Sequence, residues 1–162
     1  MPTPEEKSGR QLRSVSIHEI SHAFAAMQRC AKIGFALDRT AQAEWTGQAI
    51  GDIADNDKNL DSVYGWAGVV GEAIEVDREH AVLLALHRYR NQRSSISDTD
   101  LESIEGVTPD CRTKTAEMAF QTLVGSWDEI KALQNKVLTL IGTEKQPGVV
   151  FVWTNEDGWK QH

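Results

Sequence analysis

Two histidines and a glutamate near the start of the chain have the types and the spacing of a metal-dependent catalytic group. His18-Glu19-Ile20-Ser21-His22 is an H-E-x-x-H pattern. On a helix, a separation of four residues puts both imidazoles on one face, one turn apart, where they can bind the same ion. Zinc accepts such neutral imidazole ligands, and the carboxylate of Glu19 is expected to act as a general base on a water beside the ion.

The residues around this pattern are uncharged. Val15-Ser16-Ile17 precede it, Ala23-Phe24 follow it, and the internal pair Ile20-Ser21 carries no charge either. A dry rim of this kind keeps competing charges away from an ion and lets a metal polarise its water more strongly. The alternative interpretation is a surface helix on which both histidines and Glu19 are solvated.

A third ligand has to come from another part of the chain, because catalytic zinc takes three protein ligands and a water. His80 and His87 are seven residues apart and share a helix face, but the arginines around them would repel a cation. We therefore interpret that face as a solvated basic surface. Its arginines are Arg78, Arg88 and Arg90.

Three carboxylates are the candidates for this third ligand. Glu72 lies on a predicted helix with a stripe of glycines, where another helix can approach closely and bring the carboxylate near the metal. The stripe consists of Gly65, Gly68 and Gly71. Asp98 and Asp100 begin a short helix instead. The residue types and spacing alone leave Glu72, Asp98 and Asp100 all open.

Hydrophobic periodicity predicts the elements that position these residues. A first long helix is expected from Arg10 to Lys32, and a hairpin or pair of short strands over residues 33–50. The other predicted elements are a helix from Leu60 to Ile74, a helix from Asp77 to Gln92, a short helix capped by Ser97, helices that begin at Thr108-Pro109 and at a Ser126 capping box, and a strand over Val149–Trp153. The expected fold is mainly α (α+β): one compact helical domain over residues 10–162 with a small β-hairpin or sheet, after a flexible tail of residues 1–9.

Composition and charge restrict the classes of partner. The chain has 24 acidic and 17 basic side chains and a formal net charge of −7, which disfavours binding of nucleic acid and of anionic lipid. It has no apolar run long enough to span a bilayer and no secretory signal, so we expect a cytoplasmic protein without a membrane partner. Cys30 and Cys111 are far apart and are expected to be reduced thiols.

Three segments resemble the peptidase domain of the FtsH family, zinc proteases that normally accompany an AAA-type ATPase. The family's H-E-A-G-H-A helix is similar to His18–Ala23, its A-G-x-x-A-E stretch to Ala67–Glu72, and its N-D-L segment to Thr99-Asp100-Leu101. The resemblance covers residues 10–142, and no counterpart of the ATPase is found. It implies that Asp100 is the third zinc ligand, and that Glu72 orients a histidine or serves as an alternative third ligand.

The resemblance implies a zinc metalloendopeptidase that cuts unfolded, short or loop-exposed protein segments. Glu44–Ile50 is expected either to offer a free strand edge to which a peptide substrate adds, or to be an ordinary buried hairpin. A separate unfoldase, or a homo-oligomer, stays open as a partner. Two other functions also stay open: a non-catalytic, peptidase-like binding or regulatory module, and a zinc hydrolase that cleaves a single repressor.

Overall fold

A 23-residue helix, α1 (Pro4–Ala26), carries the H-E-x-x-H pattern in its second half. This computed structural model describes residues 1–162. The helix begins with a capping box, in which Thr3 and Glu6 bond each other's backbone N–H groups. The predicted tail over residues 1–9 is therefore wrong from Pro4 onward, because the box and a proline in the first turn start the helix there.

The first helix also ends earlier than predicted. It stops at Ala26, and Lys32 already belongs to a strand, whereas the periodicity extended the helix to Lys32. Lys32 pairs with Thr154 near the C-terminus. Pairing with such a distant strand overrides the local helical pattern, and no nearby residue signals it.

Four strands form an antiparallel sheet in the order β2-β1-β3-β4. They are β1 (Lys32–Arg39), β2 (Trp45–Gly51), β3 (Val149–Thr154) and β4 (Gly158–Gln161). The predicted hairpin and the predicted C-terminal strand are confirmed, and β3 pairs with β1 directly. The short strand β4 was not predicted; it follows β3 through a turn at Gly158, whose φ of 67° suits glycine.

Five further helices follow the hairpin and confirm the predicted helical segments to within a few residues. They are α2 (Lys58–Val76), α3 (Ala81–Asn91), α4 (Asp98–Ile104), α5 (Pro109–Gly125) and α6 (Trp127–Gly142). Ser97 caps α4 as predicted, since its side chain accepts the backbone N–H of Asp100. The predicted capping box at Ser126 is wrong: Ser126 is the only residue between α5 and α6 and makes no side-chain cap bond.

The chain is thus a mainly helical α+β protein, as expected, with 59% of its residues in helices. One cluster of 32 buried apolar residues joins the helices to the sheet. Phe35 of β1 and Phe151 of β3 stack in this cluster with ring centroids 5.5 Å apart. No helix has both the length and the apolar character needed to cross a membrane.

The glycine stripe of α2 allows the close approach that the sequence predicts. A methyl group built on Gly68 would overlap the His18 ring, and one built on Gly71 would overlap the Ser21 hydroxyl, both on α1. On the other side, a methyl group on Gly65 would lie 2.7 Å from the side chain of Ser103 on α4. The stripe therefore brings α1 and α4 against the same helix.

Candidate metal centre

Three donor atoms from α1 and α4 converge on one point. His18 Nε2 lies 3.1 Å from His22 Nε2, and Asp100 Oδ2 lies 3.2 Å from each of these nitrogens. Asp100 and His22 are buried, and His18 is partly buried. The structure therefore brings together the two histidines of the motif and one of the three carboxylates that the sequence left open.

The spacing of these atoms fits zinc. Zinc binds imidazole nitrogen and carboxylate oxygen at about 2.0–2.2 Å, so neighbouring donors of a tetrahedral site lie about 3.4 Å apart. The observed separations of 3.1 and 3.2 Å are close to that value. Two imidazoles and one carboxylate also match the composition of a catalytic site, in which the fourth position is left to water or substrate.

Hydrogen bonds on the outer side of each ring orient the histidines. His22 donates its Nδ1–H to the backbone carbonyl of Tyr64 at 2.8 Å, and His18 donates its Nδ1–H to Glu72 Oε2 at 2.8 Å. Both acceptors lack a proton of their own, so Nδ1 carries the hydrogen in each ring and Nε2 presents a lone pair to the centre. Three acceptors then face one another, and such a cluster is stable only with a cation or a proton among them.

The carboxylates around His18 strongly favour a positive charge between the three donor atoms. Burial works against protonation of His18, but its hydrogen bonds to Asp100 and Glu72 outweigh it and raise its pKa to about 10. Burial likewise opposes ionisation of the carboxyls, yet His18 and His22 hold the pKa of Asp100 well below its usual range. The pKa of Glu72 is lowered to about 2 by His18, with help from Ser14 and Arg88. A divalent ion would compete with the proton for this site.

This competition predicts how the stability of metal-free protein depends on pH. The pKa of His18 is about 10 in the folded chain against 6.5 when unperturbed, so its protonation stabilises the fold fully below about pH 6.5 and is lost as the pH rises toward 10. We expect the difference in thermal midpoint between metal-free wild type and His18→Gln to shrink over that range. Saturating zinc should remove the pH dependence of the wild-type thermal midpoint over this range, because the ion takes the place of the proton. A difference that stays constant across the range would contradict the expectation.

Glu19 lies beside the donors without joining them. Its side chain is partly buried, and burial raises its pKa, although the neighbouring His18 and His22 act in the opposite direction. No hydrogen bond from the protein contributes to this shift. A half-buried carboxylate without a protein partner, next to a cation site, has the location and the basicity of a general base.

Strand β2 runs directly over Glu19. The α carbon of Gly47 is so close that an added methyl group would lie 2.5 Å from Glu19 Cγ. The strand is held against α1 by Trp45, which donates its backbone N–H to Gln11 Oε1 at 2.7 Å and its indole N–H to Ser8 Oγ at 3.2 Å. Strand β2 is an edge strand, because it has a strand partner on one side only. The addition of a peptide substrate to this edge stays a prediction.

The other candidate ligands lie outside the cluster. Asp98 is exposed, and His80 and His87 are exposed on or beside α3. His80 pairs instead with Asp77 at 2.8 Å. Glu72 approaches His18 from the nitrogen that faces away from the centre, so it is placed to orient this ring.

Two side chains hold Glu72 in a role that the sequence did not predict for them. Ser14 donates its hydroxyl to Glu72 Oε1 at 2.6 Å, and Arg88 donates to Oε2 at 2.8 Å. Ser14 lies four residues before His18 and hence on the same helix face, which is a signal that sequence reasoning could have used. Arg88 was assigned to a solvated basic face; this is wrong, because it forms an ion pair with a carboxylate on another helix.

Comparison of the sequence with known protein families finds no match, and comparison with curated proteins finds no significant match. The site must therefore be interpreted from its own geometry. That geometry consists of three inward-facing acceptors, two outer hydrogen bonds that orient the rings, and one carboxylate beside them that has no protein partner. Such an arrangement can bind a divalent cation and can accept a proton next to it.

Proposed function

We propose that the protein is a zinc-dependent metallopeptidase of the H-E-x-x-H type, which hydrolyses peptide bonds in unfolded or exposed protein segments. The observation that carries the proposal is the convergence of His18, His22 and Asp100 at zinc-like separations, with Glu19 beside them. The similarity to FtsH-type peptidase domains supports it, because the three similar segments lie on α1, α2 and α4, which meet at this site.

In this proposal each residue near the centre has one task. His18, His22 and Asp100 hold the ion, and Glu72 and the Tyr64 carbonyl keep the rings turned toward it. When bound, zinc lowers the pKa of a water toward about 7 and polarises the substrate carbonyl. Glu19 takes a proton from the attacking water and then delivers it to the departing amine, and its raised pKa suits both transfers.

Strand β2 is the proposed guide for the substrate. An extended peptide can pair with the free edge of β2 through main-chain hydrogen bonds, which align it independently of its sequence. Gly47 keeps this strand close to Glu19, because any side chain there would push the strand away. Only extended segments can pair in this way, so folded substrates would have to be opened first, either by their own fluctuations or by a separate unfoldase.

The proposed setting is the cytoplasm, where the partner is a protein or peptide substrate. Both cysteines, Cys30 and Cys111, are free, which fits a reducing compartment. The net charge of −7 does not favour nucleic acid as a partner. The size of the purified protein in solution would show whether it forms a homo-oligomer.

Metal analysis combined with one pair of variants tests the proposed site. Protein purified without added zinc is expected to contain one equivalent of zinc per chain and to degrade casein, an unfolded protein. Asp100→Ala removes a ligand and should lower zinc affinity by more than the ~10- to 100-fold typical of a group that only orients a ligand. Glu72→Ala should stay within that smaller range.

Asp98→Ala is the matched control for Asp100→Ala. Asp98 lies in the same first turn of α4 but is exposed and away from the donors, so its loss should leave zinc affinity unchanged. If Glu72→Ala weakened zinc binding more than Asp100→Ala, the third ligand would have to be reassigned to α2. Absence of zinc from the wild-type protein, with no binding on addition, would contradict the proposal altogether.

A further inference from the structure

The carboxylate of Glu72 accepts hydrogen bonds from two other side chains besides the histidine that it orients. Its Oε2 accepts from both His18 Nδ1 and Arg88 Nη1, each at 2.8 Å, while Oε1 accepts from Ser14 Oγ at 2.6 Å. Three donors therefore fix both oxygens. The carboxylate is left with one orientation, and that orientation sets the plane of the His18 ring.

The guanidinium of Arg88 is itself fixed. It donates Nε–H to Ser95 Oγ and Nη2–H to the Ser95 carbonyl, both at 2.9 Å. Ser95 in turn donates its hydroxyl to the Gln92 carbonyl at 2.6 Å. The planar fork of an arginine can bond on three sides at once, whereas the single ammonium of a lysine cannot reproduce this arrangement. Arg88 thus links the end of α3 rigidly to the carboxylate behind the metal centre.

Arg88 and that carboxylate also share a cavity that is open to solvent. The cavity has a volume of about 480 Å³, and its wall also includes Ser14. Without the guanidinium, a water from this cavity could take its place on Glu72 Oε2 and compete with His18 for that oxygen. Two free arginines at the same cavity, Arg10 and Arg13, are exposed and form no ion pair with Glu72, so Arg88 is the cation that contacts this carboxylate.

From this chain of contacts we infer that Arg88 is a positioning residue for the metal centre: it holds Glu72 so that His18 presents Nε2 to the ion. The inference rests on the proposed zinc site. Arg88 touches neither the ion nor the substrate, and it acts through Glu72 alone. Its positive charge by itself would weaken the binding of a cation, so we expect a gain in zinc affinity from Arg88 to come through its hold on Glu72.

Zinc affinity, measured by competition with a chromophoric chelator, is the test. Arg88→Met is expected to weaken zinc binding by about 10- to 100-fold, the usual effect of losing a group that orients a ligand. Arg88→Lys keeps the charge but loses the fork, and should be weakened by an intermediate amount. The matched control is Arg90→Met, the same substitution on the same helix at an exposed arginine, which should bind zinc like the wild type.

Two further readouts separate positioning from a general loss of structure. In a Glu72→Ala background, Arg88→Met should cause no additional loss of affinity, because Arg88 acts on His18 only through this carboxylate. With Co²⁺ in place of zinc, the visible absorption spectrum should change in Arg88→Met and stay constant in Arg90→Met. If Arg88→Met fails to fold, Arg88→Lys carries both measurements.

The possible outcomes distinguish this inference from the proposed function. A wild-type chain that binds no zinc overturns both. Wild-type zinc binding with equal affinity in Arg88→Met or Arg88→Lys overturns only the role of Arg88. A loss in the Glu72→Ala background as large as in the wild type also overturns it, since Arg88 would then act by another route.

Discussion

Replacing Glu19 with glutamine is expected to slow peptide hydrolysis by about 100- to 10,000-fold, the usual contribution of a general base. Glutamine has nearly the same size and cannot take up the proton of the attacking water. The residue is not a candidate ligand, so zinc content should stay at the wild-type level. Both quantities are measured on the same preparations, by metal analysis and by the rate of casein degradation.

Glu5→Gln is the matched control for this variant. Glu5 lies on the same helix, is exposed, and is remote from the donors, so its replacement should affect neither zinc nor rate. Equal activity in Glu19→Gln and wild type would refute the assignment of the base. Zinc binding by the wild type without any hydrolysis would favour the other function that the sequence leaves open, a peptidase-like module that binds or regulates a partner.

Gly68→Ala is expected to disturb both the packing of α2 on α1 and the metal centre. The new methyl would overlap the His18 ring, and α1 and α2 would have to separate or the ring would have to turn. Overpacking of this kind costs about 1–3 kcal/mol in stability. Displacement of the His18 ring should weaken zinc binding as well. Urea unfolding of metal-free protein and chelator competition measure the two effects separately.

Gly9→Ala gives the comparison for this substitution. Gly9 is also helical, but a methyl group built on it meets no atom within 4 Å. Alanine there should stabilise the protein by up to about 1 kcal/mol, because glycine is the poorer helix former. If Gly68→Ala had the wild-type free energy of unfolding and the wild-type zinc affinity, the two helices would be able to move apart without disturbing the site. The glycine stripe would then not determine the geometry of the site.

The parts of the site that sequence could predict are those encoded within one or two helical turns. The spacing of His18, Glu19 and His22 predicts their common face, and the Ser97 cap predicts the start of the helix that carries Asp100. The glycines of α2 predict a close helix contact, although not which helix makes it. These features depend on residues near one another in the chain, so local rules suffice.

The remaining features depend on contacts between distant segments. Local patterns left Glu72 and Asp100 as alternatives; in the fold each faces a different nitrogen of His18, and this difference arises only once α1, α2 and α4 have packed. Arg88 has basic neighbours in sequence and was assigned to solvent, yet its partner lies on another helix. The strand conformation of Lys32 likewise depends on its pairing with Thr154.

Because β1 lies between β2 and β3, the sheet can form completely only after both of these strands have been synthesised. All three metal donors belong to the first hundred residues, whereas the second partner of β1 is residues 149–154. Until those residues emerge, the nascent chain exposes an unpaired edge of β1 together with Phe35 and Leu37, which are buried in the finished protein. The sheet that supports the strand over Glu19 is therefore completed only after all three metal donors have been synthesised.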